Sequence, residues 1–299
     1  MKPLVFQKNY KRFLLYIYQF YERKSHMKSE ITAVTNQKGG VGKTTTTVNL
    51  GVALAMLGKK VLLVDGDPQG SLTVSMGYRD PDNLPVTLSK VMMAEIEEKS
   101  IPPNFGIIHH AEGIDLLPAN IELSGVELSL FNAMSRELVL RTVLDRLRDQ
   151  YDHILIDCMP SLGLMNINAL AAADSVIIPL QPNFLSTKGL NLLLHSMARV
   201  RKQINPKLRV AGILFTMVDS RTNNAKAIIS SLQKAVGNSI RIFQTQIPRS
   251  VRAAEAAESG KSIFLHDKNG KVATAYAALA KEVTEYGRDI NRSWSDGAR

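Results

Sequence analysis

The sequence contains a single cysteine, so it can form no intramolecular disulfide and no Cys-x-x-Cys metal knuckle. A lone thiol is compatible with a reducing cytosol. Aromatic residues make up only 6% of the 299 residues, whereas 45% are hydrophobic and 21% are charged. These proportions supply a core of ordinary size and exclude a disordered, collagen-like or fibrous chain. At about 150 residues per domain, the length allows one large domain or two small ones.

Acidic residues are in deficit. The chain has 27 Asp and Glu against 37 Lys and Arg, which gives a net charge of +10. Seven of these bases and one acid lie within residues 1–29, so more than half of the net charge belongs to the first tenth of the chain. The remainder is mildly basic. Polyanions are therefore expected partners for both parts.

Residues 1–29 form a basic leader that also holds seven of the 18 aromatic residues. Its longest uncharged run, 13–21, is shorter than the about 20 apolar residues that cross a bilayer. No small-residue cleavage site of a signal peptide follows it. Three interpretations stay open: an upstream extension whose natural start is Met27, an amphipathic anchor on a membrane surface, or a basic arm for nucleic acid. We expect a separate domain over 30–290 and a polar tail over 291–299.

From Ile31 onward, short apolar runs alternate with longer helical patterns. Strands that are apolar at nearly every position are typical of a parallel sheet covered on both faces. No repeat or Pro/Gly/Ser-rich linker divides this part of the chain. The sequence predicts one α/β domain with a mostly parallel sheet and helices on both faces. The predicted strands are 31–35, 61–64, 153–156, 175–179, 210–215 and 240–244, and the predicted helices are 44–57, 126–150, 190–204, 225–236 and 273–286.

A glycine-rich segment follows the first predicted strand and opens the next helix. Its glycines let backbone N–H groups wrap a phosphate chain, and the helix start adds its positive dipole end. Lys43 supplies a charge for the β- and γ-phosphates, and the Thr44 hydroxyl is a natural Mg²⁺ ligand. In the usual phosphate-loop pattern, position 37 is a glycine, whereas this chain has Gln37. Lys38 is a second lysine besides Lys43, and it can reach a neighbouring subunit's nucleotide in a face-to-face dimer. The predicted phosphate loop is Lys38, Gly39, Gly40, Val41, Gly42, Lys43, Thr44 and Thr45.

Carboxylates follow two other predicted strands. Asp65 and Asp67 come at the end of 61–64, and Asp157 follows 153–156. In a parallel sheet all three lie at the carboxyl edge, where ligands bind. Asp157 can hold the waters of a nucleotide-bound Mg²⁺. Asp67 can orient the attacking water, because phosphoryl transfer depends mainly on positioning.

Together these segments resemble the deviant Walker A ATPases and, within them, the ParA/Soj partition ATPases. The resemblance covers roughly residues 28–287. It is carried by the segments 35–45, 65–70, 156–158, 160–163, 217–222, 247–252 and 255–256.

The resemblance implies a single P-loop NTPase domain that uses ATP and Mg²⁺. It implies catalytic roles for Lys38, acting across a dimer, and for Asp67 in hydrolysis. Arg221 and Arg252 match positions used in the family for sequence-independent DNA binding. Gly39 would lie at the dimer face, Asp157 would be the Walker B carboxylate acting on Mg²⁺ through water, and Pro248 and Arg249 would complete the nucleotide contacts.

For the whole protein, the resemblance implies an ATPase that is weak alone and stimulated by a ParB-like centromere-binding protein. An ATP-bound homodimer would bind DNA non-specifically during plasmid or chromosome partition, in the cytoplasm and on the nucleoid. Met159, Asn183 and Lys188 depart from residues common in the family, and the last two bear on partner contacts. The alternative is a MinD-like membrane-associated positioning ATPase. The polar segment 287–293 speaks against membrane binding, because such a protein would end in a basic amphipathic helix.

Overall fold

The computed structural model describes residues 29–161, 163–219, 221–237 and 239–296, without the side chains of 184–188 and 287–296. Apart from Ser29, the predicted leader lies outside the described residues, and so do its three interpretations. The last three residues of the predicted polar tail also lie outside them.

The described residues build a seven-stranded sheet in the order β3-β4-β2-β5-β1-β6-β7. All neighbouring strands are parallel except the short pair β3 and β4. The predicted mostly parallel sheet is therefore confirmed. The register aligns Asp65 of β2 with Asp157 of β5, which places both carboxylates at one edge. The strands are β1 Glu30–Val34, β2 Val61–Gly66, β3 Ile108–His109, β4 Asp115–Leu117, β5 His153–Cys158, β6 Ser175–Leu180 and β7 Arg209–Phe215.

Helices cover both faces of the sheet, as predicted. One apolar layer lies under α3 to α8 and includes Leu140, Leu170 and Leu193; the other lies under α1, α2 and α9 to α11 and includes Leu54 and Leu279. These strands carry apolar side chains on both faces because each face is buried by helices. The helices are α1 Lys43–Met56, α2 Ser71–Ser75, α3 Leu88–Ile96, α4 Leu123–Leu130, α5 Val139–Asp145, α6 Leu164–Ala172, α7 Phe184–Gln203, α8 Asn223–Val236, α9 Val251–Glu258, α10 Ile263–His266 and α11 Lys271–Asp296, with 3₁₀ turns at Pro81–Asn83 and Arg148–Gln150.

The single helix predicted over 126–150 is wrong. The helix ends with α4, and eight residues separate it from the start of α5. Among these, Ser135 has a left-handed φ of 49°. Asn168 of α6 stabilises this break, because its amide donates to the Arg136 carbonyl at 2.8 Å and accepts from the Leu140 N–H at 3.1 Å. A tertiary contact from a distant residue thus overrides the local apolar spacing.

The strand predicted over 240–244 is also wrong. Only an isolated bridge joins Ile242 to Ile213 of β7. The pairing stops there because the Glu282 carboxylate accepts the backbone N–H groups of Gln244 and Thr245 at 2.9 and 3.1 Å. The final helix is longer than the predicted 273–286, since α11 continues to Asp296 through the start of the predicted polar tail.

Candidate nucleotide-binding site

The glycine-rich loop leaves the carboxyl end of β1 and enters α1. Gly40 and Gly42 have φ values of 69° and 85°, a left-handed conformation that favours glycine. Gly42 is the N-cap of α1, and no side chain caps this helix and no acid lies in its first turn. The amino end of α1 therefore offers its dipole and N–H groups to an anion, as phosphate binding requires.

Neighbouring strands hold the loop in place. The Gln181 side-chain amide donates to the Gly40 carbonyl at 2.8 Å, and the Thr216 hydroxyl donates to the Val41 carbonyl at 2.7 Å. These residues follow the ends of β6 and β7. The carbonyls of Gly40 and Val41 are thus bonded away from the loop's interior, which is the orientation that a phosphate-binding loop needs.

The two predicted lysines are both at this loop. Lys43 is 7% exposed, and its ammonium donates to the Lys38 carbonyl at 3.2 Å across the loop. Burial lowers the pKa of Lys43, while the nearby Asp157 opposes that change. The Lys38 ammonium lies 3.4 Å from the Asn183 side-chain oxygen of the same chain. Its action across a dimer stays a prediction.

Thr44 and Asp157 meet beside the loop. The Thr44 hydroxyl donates to Asp157 Oδ2 at 2.7 Å, and the Thr47 hydroxyl lies 3.5 Å from Asp157 Oδ1. Burial, with the nearby Asp65, raises the pKa of Asp157 to about 8. A hydroxyl and a carboxylate side by side are the hard oxygen donors that Mg²⁺ takes. These residues fit a nucleotide-bound Mg²⁺, and Thr47 is a neighbour that sequence reasoning missed.

Asp65 organises the second acidic site. Its buried carboxylate accepts from the Thr73 N–H at 2.9 Å, the Thr73 hydroxyl at 2.7 Å and the Asp67 N–H at 3.2 Å. Burial raises the pKa of Asp65 to about 6. Asp67 is half-exposed and accepts the Gln69 N–H at 3.0 Å. Asp65 thus holds the turn that carries Asp67. The sequence signal for this role was its place between an apolar strand and Asp67.

A cavity of about 320 Å³ lies beside the loop, between the segment after β6 and the segment after β7. We call it the base cavity; its lining includes Gln181, Met217, Asp219 and Arg249. Pro248 is not among the lining residues; it forms a bridge to Val218. The next residue, Arg249, lines the cavity, and its backbone N–H donates to the Val218 carbonyl at 3.2 Å. The volume of the base cavity falls in the range of small-molecule pockets, about 300–1,000 Å³.

The two arginines predicted to bind DNA project from adjacent segments. The Arg221 side chain is 88% exposed, and its guanidinium pairs with both oxygens of Asp219 at 2.9 Å. Arg252 is the second residue of α9; its side chain is 64% exposed, and its guanidinium lies 3.0 Å from the Glu255 carboxylate. The bridge between Val218 and Pro248 brings these segments together at the carboxyl end of the sheet.

Arg241 does not belong to this exposed group, although it lies in the same basic third of the sequence. Its guanidinium packs 5.1 Å from the Phe243 ring centre and 4.2 Å from that of Tyr286, and lies 3.2 Å from Glu282. Its place is structural, as a link between α11 and the segment after α8.

Cys158 is buried at the end of β5, where desolvation raises the pKa of its thiol. Among the described residues, no helix combines the length and the apolar character that crossing a bilayer requires.

The fold and the phosphate loop together define a P-loop NTPase. A family model described as an AAA domain matches residues 29–210. The chain is 43% identical to the sporulation initiation inhibitor protein Soj of Bacillus subtilis, over 86% of this chain and 99% of that protein. It is 38% identical to the chromosome partitioning protein ParA of Caulobacter vibrioides, over 87% of this chain and 95% of that protein. The chain belongs to the ParA/Soj family.

Solved structures agree with this assignment. Cobyrinic acid a,c-diamide synthase from Mycobacterium smegmatis, with bound ADP and magnesium, is 36% identical with a TM-score of 0.72, over 90% of this chain and 96% of that one. The septum site-determining protein MinD from Pyrococcus horikoshii, with Mg-ADP, is 26% identical with a TM-score of 0.66, over 85% and 96%. Nucleotide and magnesium in these neighbours support ATP and Mg²⁺ as the cofactors.

Proposed function

We propose that this protein is a partition ATPase whose ATP-bound homodimer binds DNA without sequence preference and is released when a ParB-like partner stimulates hydrolysis. One observation carries the DNA part: the two exposed arginines, Arg221 and Arg252, lie on adjacent segments that also border the base cavity. A nucleotide in that cavity would touch the segments that present both arginines. The names of the relatives, a chromosome partitioning protein among them, support the proposal.

The residues around the loop divide the hydrolytic work. Lys43 and the N–H groups at the start of α1 bind and orient the phosphates, and Thr44 with Asp157 holds Mg²⁺. Mg²⁺ supplies charge neutralisation at the β- and γ-phosphates. Asp67, held by Asp65, orients the attacking water. Lys38 reaches the partner subunit's nucleotide, and Gly39 allows the two loops to approach.

DNA recognition would act through phosphates. Guanidinium groups bind phosphate oxygens and release counterions, which makes the affinity dependent on salt and independent of base sequence. Arg221 and Arg252 are exposed enough to do this, whereas Arg241 is not. A nucleoid-associated location would follow from such binding.

The experiment compares Arg252→Glu with Lys207→Glu. Lys207 is an exposed lysine just before the amino end of β7, away from the carboxyl end of the sheet where Arg252 lies. Both variants replace a base by an acid, so the change in charge is the same. Binding to a random DNA duplex is measured with ATP, with ADP and without nucleotide. We expect wild type and Lys207→Glu to bind DNA with ATP, and Arg252→Glu to bind at least about tenfold more weakly. Equal binding by both variants would refute the assigned surface.

The MinD-like alternative is tested on anionic phosphatidylglycerol vesicles with the same three nucleotide states. Our proposal expects no ATP-dependent sedimentation with vesicles. Vesicle binding without DNA binding would replace the partition role by membrane-associated positioning.

A further inference from the structure

Asp219 both pairs with Arg221 and lines the base cavity. Its carboxylate accepts three hydrogen bonds from Arg221: Oδ1 accepts from the backbone N–H at 3.2 Å and from Nε at 2.9 Å, and Oδ2 accepts from Nη2 at 2.9 Å. The same residue lines the base cavity together with Arg249. Arg221 also holds the pKa of this carboxyl well below its usual range, so Asp219 is an anion at neutral pH. One residue, Asp219, therefore neutralises a candidate DNA-binding arginine and lines the base cavity.

We propose that Asp219 is a positioning residue that couples occupation of the base cavity to the freedom of Arg221. The proposal deepens the proposed function and rests on it. Without a nucleotide, the two-point pair holds Arg221 beside its own carboxylate. A nucleotide base that enters the cavity brings an amino group, which donates to one oxygen of Asp219. The Arg221 guanidinium then keeps a single hydrogen bond to Asp219 and turns its remaining N–H groups to a DNA phosphate.

The bidentate geometry explains why the coupling can be effective. Two parallel hydrogen bonds fix a guanidinium in one orientation, whereas a single bond lets it rotate. An exposed ion pair contributes little stability, so a competing donor can displace one half of it at small cost. A stronger, buried pair could not respond in this way.

The chain contains a natural control. Arg252 pairs with Glu255 at 3.0 Å, and Glu255 also lies 3.4 Å from His266. Glu255 is not among the residues that line the base cavity. Removing its charge should free Arg252 in every nucleotide state, whereas removing the charge of Asp219 should free Arg221 mainly in the state without nucleotide.

The test measures affinity for a random DNA duplex by fluorescence anisotropy, without nucleotide and at saturating ATP, in the full chain. Saturation is set from a titration with fluorescent ATP for each variant. Asp219→Asn should raise the nucleotide-free affinity about two- to fivefold and lower the ratio of ATP-bound to nucleotide-free affinity by the same factor. Glu255→Gln should raise both affinities and leave the ratio as in wild type. A wild-type ratio in Asp219→Asn would overturn the coupling.

Arg221→Ala separates this proposal from the proposed function. If Arg221→Ala leaves DNA binding unchanged, the DNA surface itself is wrong. If it weakens DNA binding while Asp219→Asn keeps the wild-type ratio, only the coupling is wrong.

Purine riboside triphosphate, which lacks the amino group of adenine, gives a second readout on the wild-type protein. At saturation it should support DNA binding about two- to fivefold weaker than ATP does, because Asp219 keeps both bonds to Arg221. Equal binding with both nucleotides would also overturn the coupling.

Discussion

Replacing Asp157 by Asn tests the buried carboxyl at the proposed Mg²⁺ position. Burial and the neighbouring Asp65 raise its pKa from 3.8 to about 8, against the opposing effect of Thr44 and Lys43. At pH 7, which lies below this pKa, most nucleotide-free molecules therefore carry a proton on Asp157. Binding Mg²⁺ favours the anion, so Mg-nucleotide binding should release up to about one proton per site at pH 7.

The same shift predicts how the stability of the nucleotide-free protein depends on pH. Because the folded pKa of Asp157 lies above its unfolded value, the folded state binds the proton more tightly. The resulting stabilisation is fully present below about pH 4 and is lost as the pH rises through about 8. The midpoint of thermal unfolding should fall between pH 5 and pH 8 in the wild type. Asp65 adds a smaller loss that is complete once the pH has risen through about 6, because its pKa is raised less.

The amide of Asp157→Asn is neutral at every pH and cannot be deprotonated. This variant should lose much of the fall between pH 6 and pH 8 and should melt higher than wild type at pH 8. Asp149→Asn, at an exposed carboxyl, is the control and should keep the wild-type slope. Unfolding is followed by circular dichroism, and proton release by calorimetry in buffers of different ionisation heats. Release near zero in the wild type, or the same slope in Asp157→Asn, would refute the reasoning.

Three further predictions concern basic side chains. Lys43→Ala should abolish nucleotide binding in a fluorescent-nucleotide titration. Lys38→Ala should still bind ATP but should lose ATP-dependent dimerisation, measured by light scattering. Loss of nucleotide binding in both variants would contradict the division of roles. Arg252→Ala should lower the slope of log K against log salt by about 1.8 in a dimer, because each lost phosphate contact contributes about 0.9. An unchanged slope would remove Arg252 from the interface. Arg241→Ala should cost about 1–2 kcal/mol of unfolding free energy through lost packing and leave that salt slope intact.

The long apolar strands and the phosphate loop could be predicted because each is specified by adjacent residues. The run 153–156 is buried on both faces and admits one interpretation, and the spacing from Lys38 to Thr44 has few structural solutions. The break between α4 and α5 could not be predicted, because the side chain that stabilises it, Asn168, lies some 30 positions downstream. The strand predicted over 240–244 does not form for a similar reason. The distant Glu282 carboxylate accepts the backbone N–H groups of Gln244 and Thr245, which are then not available for strand pairing.

The candidate site divides in the same way. Lys43, Thr44 and Asp157 follow from local motifs, and the pairing of β1 with β5, which aligns Val34 with Asp157, then places them at the same end of the sheet. The partners of the site were not visible in the sequence. Gln181 and Asp219 lie in loops that only the folded sheet brings together at the base cavity. Arg241 could be distinguished from Arg252 only by its burial between two rings.

The bonds from Gln181 and Thr216 to the glycine-rich loop have a consequence for the thermodynamics of nucleotide capture. A free glycine-rich segment would lose much conformational entropy on wrapping a phosphate chain. Here the carbonyls of Gly40 and Val41 are fixed from outside before any ligand arrives. Most of that entropy is lost during folding, so the free energy of phosphate contact is available for affinity.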